Sequence, residues 1–409
     1  MWDQPLTINL NNFKFKSLSN FSVNVSVGCT HGCRFCYVPE VSTIKQADPL
    51  KQYGVKDPDA QWGQYSLLRR WDADAFYRSL EAAKNIPKNK LKPDGNRAVM
   101  YCTTTDPYQV FNAGEASRTK ELTRRAEQMV RNSLEIIRDN SDLNVRILTR
   151  SPLARQHFEL FKSFGNRLVF GMSLPTLNDR LCKIYEPNAP GPRARLKTLQ
   201  EARDAGLHVY VAMAPTYPEC DEADLRATLA AVKELNPITI FHEPINIRAE
   251  NVARIEKHAQ ELGQKMKTEV FASKESWRRY SLGQLILVQK LAEELGLKDR
   301  LHLWPDPDLK SKAGFLELRK SLWKNAGLSK VQKIHRANQD KAYYDTSYLP
   351  WLNAWWNRVS EWPGKKKAKW RYPALINPLE LAHKIRASGG AENSDKGEVS
   401  LGIKKKDPS

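Results

Sequence analysis

No stretch of this chain approaches the ~18 uncharged apolar residues that a bilayer span needs, and its first thirty residues lack the charged, apolar and small-residue succession of a secretory signal. A cytoplasmic protein with no membrane partner is therefore expected. Cysteine is scarce as well. Six in 409 residues exclude a disulfide scaffold, and three of the six crowd into the eight positions from Cys29 to Cys36, which in a reducing compartment points to a metal rather than a bridge. No repeat at a solenoid period is present. Core-forming side chains are not in short supply: 41% hydrophobic residues with 11 Trp, 14 Tyr and 13 Phe exclude a disordered chain. A length of 409 residues suits one large domain with appendages.

Acidic residues are in deficit, with 46 Asp plus Glu against 65 Lys plus Arg and a net charge of +19. The last hundred residues hold 21 basic and 9 acidic side chains, so +12 of that charge lies there. Such a balance suits a polyanionic partner, because each neutralised phosphate releases counterions. A solvated surface selected for solubility reads the same in composition.

Short β-branched or alternating apolar runs at 21–27, 98–102, 145–148, 168–174, 208–214 and 238–241 are the six strand candidates. Helical patterns separate them. Asp72 is placed to cap a helix through Ala83, with Asp74 in its first turn; residues 116–138 are periodic; Ser151-Pro152 reads as a cap with proline at the first position; residues 193–205 stop at Gly206. Repeated strand–helix–strand units predict a parallel sheet, open or closed into a barrel, with ligands at the strand C-termini. The expected organisation is an N-terminal segment 1–19, a core 20–245 with an insertion at 38–96 that covers one mouth, a helical continuation 246–310, a basic Trp-rich extension 311–386 and a disordered tail 387–409.

The sharpest feature is Gly28-Cys29-Thr30-His31-Gly32-Cys33-Arg34-Phe35-Cys36-Tyr37, directly after the first strand candidate. Three thiolates this close can each take one iron of a [4Fe-4S] cube and leave the fourth iron open. A zinc site would want a fourth ligand. Cys102, Cys182 and Cys220 offer no paired spacing, and His31 could supply it.

With Phe35 just before the third cysteine, the loop resembles the radical S-adenosylmethionine superfamily. A narrower resemblance, to the spore photoproduct lyase-like branch, rests on Cys102-Thr103-Thr104-Thr105-Asp106-Pro107-Tyr108-Gln109, Leu148-Thr149-Arg150-Ser151, Ser173, Tyr185-Glu186-Pro187, Arg195 and Ala214-Pro215. The resemblance implies a partial (βα)6 TIM-like barrel, a [4Fe-4S] cluster and S-adenosylmethionine, cleaved reductively to a 5′-deoxyadenosyl radical that abstracts a substrate hydrogen. It implies Cys29, Cys33 and Cys36 as iron ligands, Phe35 near the adenine, Arg150 on the cofactor carboxylate where the branch often has lysine, Ser173 hydrogen-bonded to the cofactor, and Glu186 with Arg195 as a supporting pair. It also implies a reductant such as flavodoxin or ferredoxin. One departure concerns chemistry. The lyases carry a hydrogen-donating cysteine where this chain has Thr103. Cys102 lies one position earlier, so strand alternation would turn it away unless a bulge restores it, and an ordinary buried cysteine is the preferred reading. Cys102, Asp106 and Tyr108 are the catalytic candidates, the last two either as substrate contacts or as a loop brace. His242 and Glu243 at the sixth strand are further candidates.

In the extension, Trp323, Trp351, Trp355, Trp356, Trp362 and Trp370 are interleaved with Lys365, Lys366, Lys367 and Lys369. Trp351 and Trp355, spaced i, i+4, are expected to form a buried helix face rather than a base-stacking platform. The leading expectation for the substrate is DNA, RNA or a nucleotide. The alternatives are a small molecule or protein substrate, and a zinc-stabilised nucleic-acid-binding protein without catalysis.

Overall fold

The apolar runs form a parallel sheet whose strands are buried on both faces, as all six residues from Leu168 to Ser173 are. The computed structural model describes residues 1–11, 18–92, 95–248 and 250–357. Trp362, Trp370, the lysine run 365–369 and the 387–409 tail lie outside the described residues.

Eleven strands form among the described residues: β1 (Trp2–Pro5), β2 (Asn9–Leu10), β3 (Phe21–Val23), β4 (Ser26–Gly28), β5 (Ser66–Arg70), β6 (Ala98–Tyr101), β7 (Asn144–Thr149), β8 (Leu168–Ser173), β9 (Val209–Thr216), β10 (Thr239–Pro244) and β11 (Leu301–Leu303). The main sheet runs β2-β3-β6-β7-β8-β9-β10-β11. Every pair in it is parallel except β2 with β3. This is the partial TIM-like barrel, and the short strand-like run from Leu301 to Trp304 adds β11 as a seventh parallel strand beside the six leading candidates. Alternation along each strand sends Met100, Val169, Tyr210 and Phe241 to an inner cluster and Val99, Tyr101, Phe170 and Val211 to the outer core. Gly171 makes room for Tyr210: a Cβ there would fall 2.3 Å from the tyrosine ring.

The helix Ala73–Lys84 starts where Asp72 accepts a hydrogen bond from the Ala75 amide at 2.9 Å. The helix Pro192–Asp204 is followed by Gly206 at φ +85°. Ser151 does cap, but it opens a 3₁₀ turn, Pro152–His157, before the short helix Phe158–Lys162.

The run 21–27 is not one strand. Between β3 and β4, the Asn24 Oδ1 accepts from the Thr103 and Thr104 amides, both at 2.9 Å, so β3 stays in the main sheet while β4 leaves it to pair with β5. A second sheet, β1-β5-β4, results, with its own core of Trp2, Leu50, Val55, Trp62 and Tyr65. Of the expected N-terminal segment 1–19, the described part packs onto both sheets: β1 is an edge of the second sheet, and Leu6 is wholly buried in the main core.

After β10, the helices Asn251–Glu261 and Lys274–Glu294 lead to β11, and Lys312–Trp323, Lys330–Tyr343 and Leu349–Asn357 form the extension. Trp351 and Trp355 are buried, as their spacing predicts, and the Trp323 indole donates to Asp340 Oδ2 at 2.9 Å. These three tryptophans are core. Among the described residues no helix is long and apolar enough to cross a membrane.

Candidate active site

A cavity of about 580 Å³ opens where β6 to β10 end, the end at which barrel folds carry their chemistry. Cys29, Cys33 and Cys36 all line it. The chain enters their loop through Gly28 at φ +88°, where a Cβ would lie 2.5 Å from both the ring and the carbonyl of Tyr65. Gly32, at φ +59°, backs onto Gly63. Side chains from distant segments then fix the loop backbone. The Thr30 amide donates to Gln109 Oε1 at 2.7 Å, Asn188 Nδ2 donates to the Thr30 carbonyl at 3.0 Å, and the Arg34 amide donates to the Tyr185 carbonyl at 2.8 Å. Asn251 Nδ2 reaches the Phe35 carbonyl at 3.4 Å and Arg254 Nε the Arg34 carbonyl at 3.2 Å.

Burial pushes the Cys29 thiol up to about 12 and raises Cys33 and Cys36 as well, so metal binding must displace their protons. Among the described residues no three His, Cys, Asp or Glu side chains converge as ligands of one ion. Three thiols around one volume fit a cube, in which each sulfur meets a different iron. His31 is buried, with Nδ1 3.5 Å from Asp106 Oδ2, and desolvation lowers its pKa; it faces a carboxylate already committed elsewhere.

Arg150 forms the second wall. Its Nε donates to Glu186 Oε1 at 2.8 Å, and Arg195 closes on the other carboxylate oxygen. Burial alone would raise the Glu186 carboxyl, but the Arg195 and Arg150 guanidiniums outweigh it and hold the group at about 2. Arg195 also donates to the Ser173 carbonyl at 3.1 Å and the Pro190 carbonyl at 2.7 Å. The Arg150 guanidinium sits 5.6 Å from the Phe35 ring centroid, a cation–π contact.

Of the residues picked from sequence, Phe35, Cys102, Asp106, Arg150 and Ser173 share the cavity with the three cysteines. Glu186 and Arg195 do not reach it; they stand behind Arg150 and aim it. Asp106 is a brace: its carboxylate accepts from the Thr149 hydroxyl at 2.6 Å, the Arg150 amide at 2.8 Å and the Tyr108 amide at 2.9 Å. Tyr108 is not at the mouth. It is 1% exposed, its hydroxyl lies 2.9 Å from His157 Nδ1, and its ring packs edge-on against Phe161 in the outer core. Cys102 departs from the expectation in the other direction: it is buried, yet on the cavity wall. At β10, Glu243 lines the cavity, whereas His242 turns away to Thr216 at 3.1 Å and is lowered to about 3 by burial. Sequence reading missed Asn246, Arg248, Ile245 and Trp304 on the wall. Their only signal was position after a strand end.

The sequence is 28% identical over 252 residues to an uncharacterised protein of Acidianus two-tailed virus, covering 59% of this chain and 72% of that one. It is 24% identical over 206 residues to an uncharacterised protein of Mycobacterium bovis, covering 50% of this chain and 51% of the relative, so it spans about half that relative's length. Among solved structures, a spore photoproduct lyase mutant superposes with a TM-score of 0.50 at 11% identity, covering 72% of this chain and 80% of that chain. That likeness is one of fold. The Radical SAM superfamily matches residues 23–232, half of the chain, from β3 through the cysteine loop and past β9. The chain belongs to the radical SAM superfamily: it is an enzyme of that kind, and its cofactors are a [4Fe-4S] cluster and S-adenosylmethionine.

Proposed function

We propose that this enzyme abstracts a hydrogen atom from a nucleic acid or a nucleotide-bearing substrate held in the cavity at the strand ends. The observation that carries the reading is a second polar set on the same cavity, at the end of β10. Asn246 Nδ2 donates to Glu243 Oε1 at 2.5 Å, and Arg248, half exposed, is tethered by the buried carboxylate of Asp306. A guanidinium held on one edge and open on the other suits a phosphate, and the neighbouring carboxylate and amide suit the donor and acceptor edge of a base. The net charge of +19 favours the approach of such a polyanion.

When bound, the cluster and S-adenosylmethionine supply the 5′-deoxyadenosyl radical. The chain supplies the rest. Cys29, Cys33 and Cys36 would ligate iron, Phe35 would flank the adenine, the free edge of Arg150 would take the cofactor carboxylate, and the Ser173 hydroxyl would hydrogen-bond the cofactor. Val38, Trp62, Leu148 and Ile245 make apolar walls that keep water from a reactive intermediate. Cys102, a thiol on the cavity wall, would return a hydrogen atom to a product radical. An electron donor such as flavodoxin or ferredoxin is required.

A volume of about 580 Å³ also falls in the range of small-molecule sites, which keeps a small-molecule substrate as the second reading. Anaerobic reconstitution with dithionite and S-adenosylmethionine, assayed for 5′-deoxyadenosine with and without DNA or RNA oligonucleotides, separates the two. Stimulation by one polymer, with binding that weakens steeply as salt rises, is the expected result. Absence of both overturns the nucleic-acid reading.

A further inference from the structure

The family match ends at residue 232, yet part of the support for the cysteine loop comes from beyond it. In the helix Asn251–Glu261, the positions i, i+3 and i+7 form one face, and all three side chains on it meet the loop. Asn251 donates to the Phe35 carbonyl at 3.4 Å, Arg254 Nε donates to the Arg34 carbonyl at 3.2 Å, and His258 Nδ1 lies 3.5 Å from Arg34 Nη2. Arg254 also donates to the Cys36 carbonyl and pairs with Asp59 of the insertion. Its side chain is 10% exposed and that of Asp59 18%. A nearly buried guanidinium thus bonds the backbone on either side of Phe35, next to one thiol of the loop, with the paired carboxylate of Asp59 and the nearby charge of Glu40 partly neutralising it.

We infer that the helix Asn251–Glu261 is a clamp on the cluster loop and that Arg254 is a positioning residue with two roles, holding the loop carbonyls and setting the electrostatic field at the cluster. The planar fork of arginine reaches two carbonyls and a carboxylate at once, which the point charge of lysine cannot do. A fixed positive charge beside a thiolate-ligated cluster favours the reduced, more negative state, so it raises the reduction potential. Asp59 opposes that effect.

The two roles separate by substitution in the full-length protein, purified without oxygen and studied without S-adenosylmethionine. Arg254→Gln is expected to lower the midpoint potential in an EPR-monitored redox titration and to reduce the iron bound per chain. Arg254→Lys keeps the charge but not the fork; it is expected to hold a near-parental midpoint while losing iron to a chelator about tenfold faster. Asp59→Asn removes the carboxylate paired with the guanidinium, leaving only the more distant Glu40 to offset it, and is expected to raise the midpoint. Parental midpoints in both Arg254→Gln and Asp59→Asn overturn the electrostatic role, and parental chelator resistance in Arg254→Lys overturns the clamp. If Arg254→Gln does not fold, Asp59→Asn decides the electrostatic role alone: a raised midpoint upholds it, an unchanged one removes it.

Discussion

Glu186 stands between Arg150 and Arg195 with no exposed side-chain surface. Its carboxyl is held at about 2, below the ordinary 4.5. A carboxylate whose folded pKa is depressed contributes stability that is complete above the unfolded pKa and disappears as pH falls toward the folded one. The contribution is therefore full at neutral pH and is lost between about 4.5 and about 2. Glu186→Gln leaves Arg195 buried beside a neutral amide. It should cost about 3–5 kcal/mol at pH 7 in denaturant unfolding and flatten that acid limb; an unchanged midpoint would show that the triad is not a stabilising one. Tyr108 makes the opposite case. Its hydroxyl serves His157, which burial and then Arg131 lower to about 4, so the imidazole is neutral at pH 7. Tyr108→Phe should cost about 1–3 kcal/mol of stability and leave 5′-deoxyadenosine formation unchanged, and a lost turnover in a fully folded variant would restore Tyr108 to the chemistry. Arg150 and Tyr108 gave the same sequence signal, a place in a motif that follows a strand and resembles the lyase-like branch. Which way a side chain turns after the last ladder bond depends on contacts with other elements, so only the former could be placed on the cavity.

At the scale of elements, the strands of the barrel were legible because both faces are buried and the runs are almost purely apolar. The small sheet was not. β5 is Ser-Leu-Leu-Arg-Arg, too short and too charged to show a period, and its partners β1 and β4 lie 38 or more residues away in sequence. The helix Asn251–Glu261 falls within the expected helical continuation 246–310, but its contact with the loop was hidden, since Asn251, Arg254 and His258 carry no apolar period. The cysteine loop, by contrast, was visible from spacing alone, although its glycines acquire their reason only in the fold. Gly28 carries a left-handed backbone and touches Tyr65, so Gly28→Ala combines backbone strain with a contact at 2.5 Å. Anaerobically purified Gly28→Ala should bind markedly less iron per chain than the parent protein. Full iron content would mean that the approach of β4 to Tyr65 does not shape the loop.

For the molecule as a whole, two features need reconciling: a site volume of about 580 Å³ and a charge of +19 concentrated toward the C-terminus. On the proposed nucleic-acid reading, one nucleotide would enter such a cavity, and the rest of the polymer would be held outside by charges that read phosphate and not sequence. Division of labour follows. The strand-end residues Glu243, Asn246 and Arg248 would set which unit reacts, and the basic C-terminal residues would set how strongly the polymer is retained. Replacing Lys365, Lys366, Lys367 and Lys369 with glutamine tests that division. Oligonucleotide affinity should fall, and the dependence of log affinity on log salt should become shallower by about 0.9 for each phosphate contact removed from a duplex. Formation of 5′-deoxyadenosine without oligonucleotide should stay at the parental rate. Fluorescence anisotropy across a salt series reads the slope directly, and a slope identical to that of the parent protein would assign the lysine run to solubility and leave retention of the polymer to other basic residues.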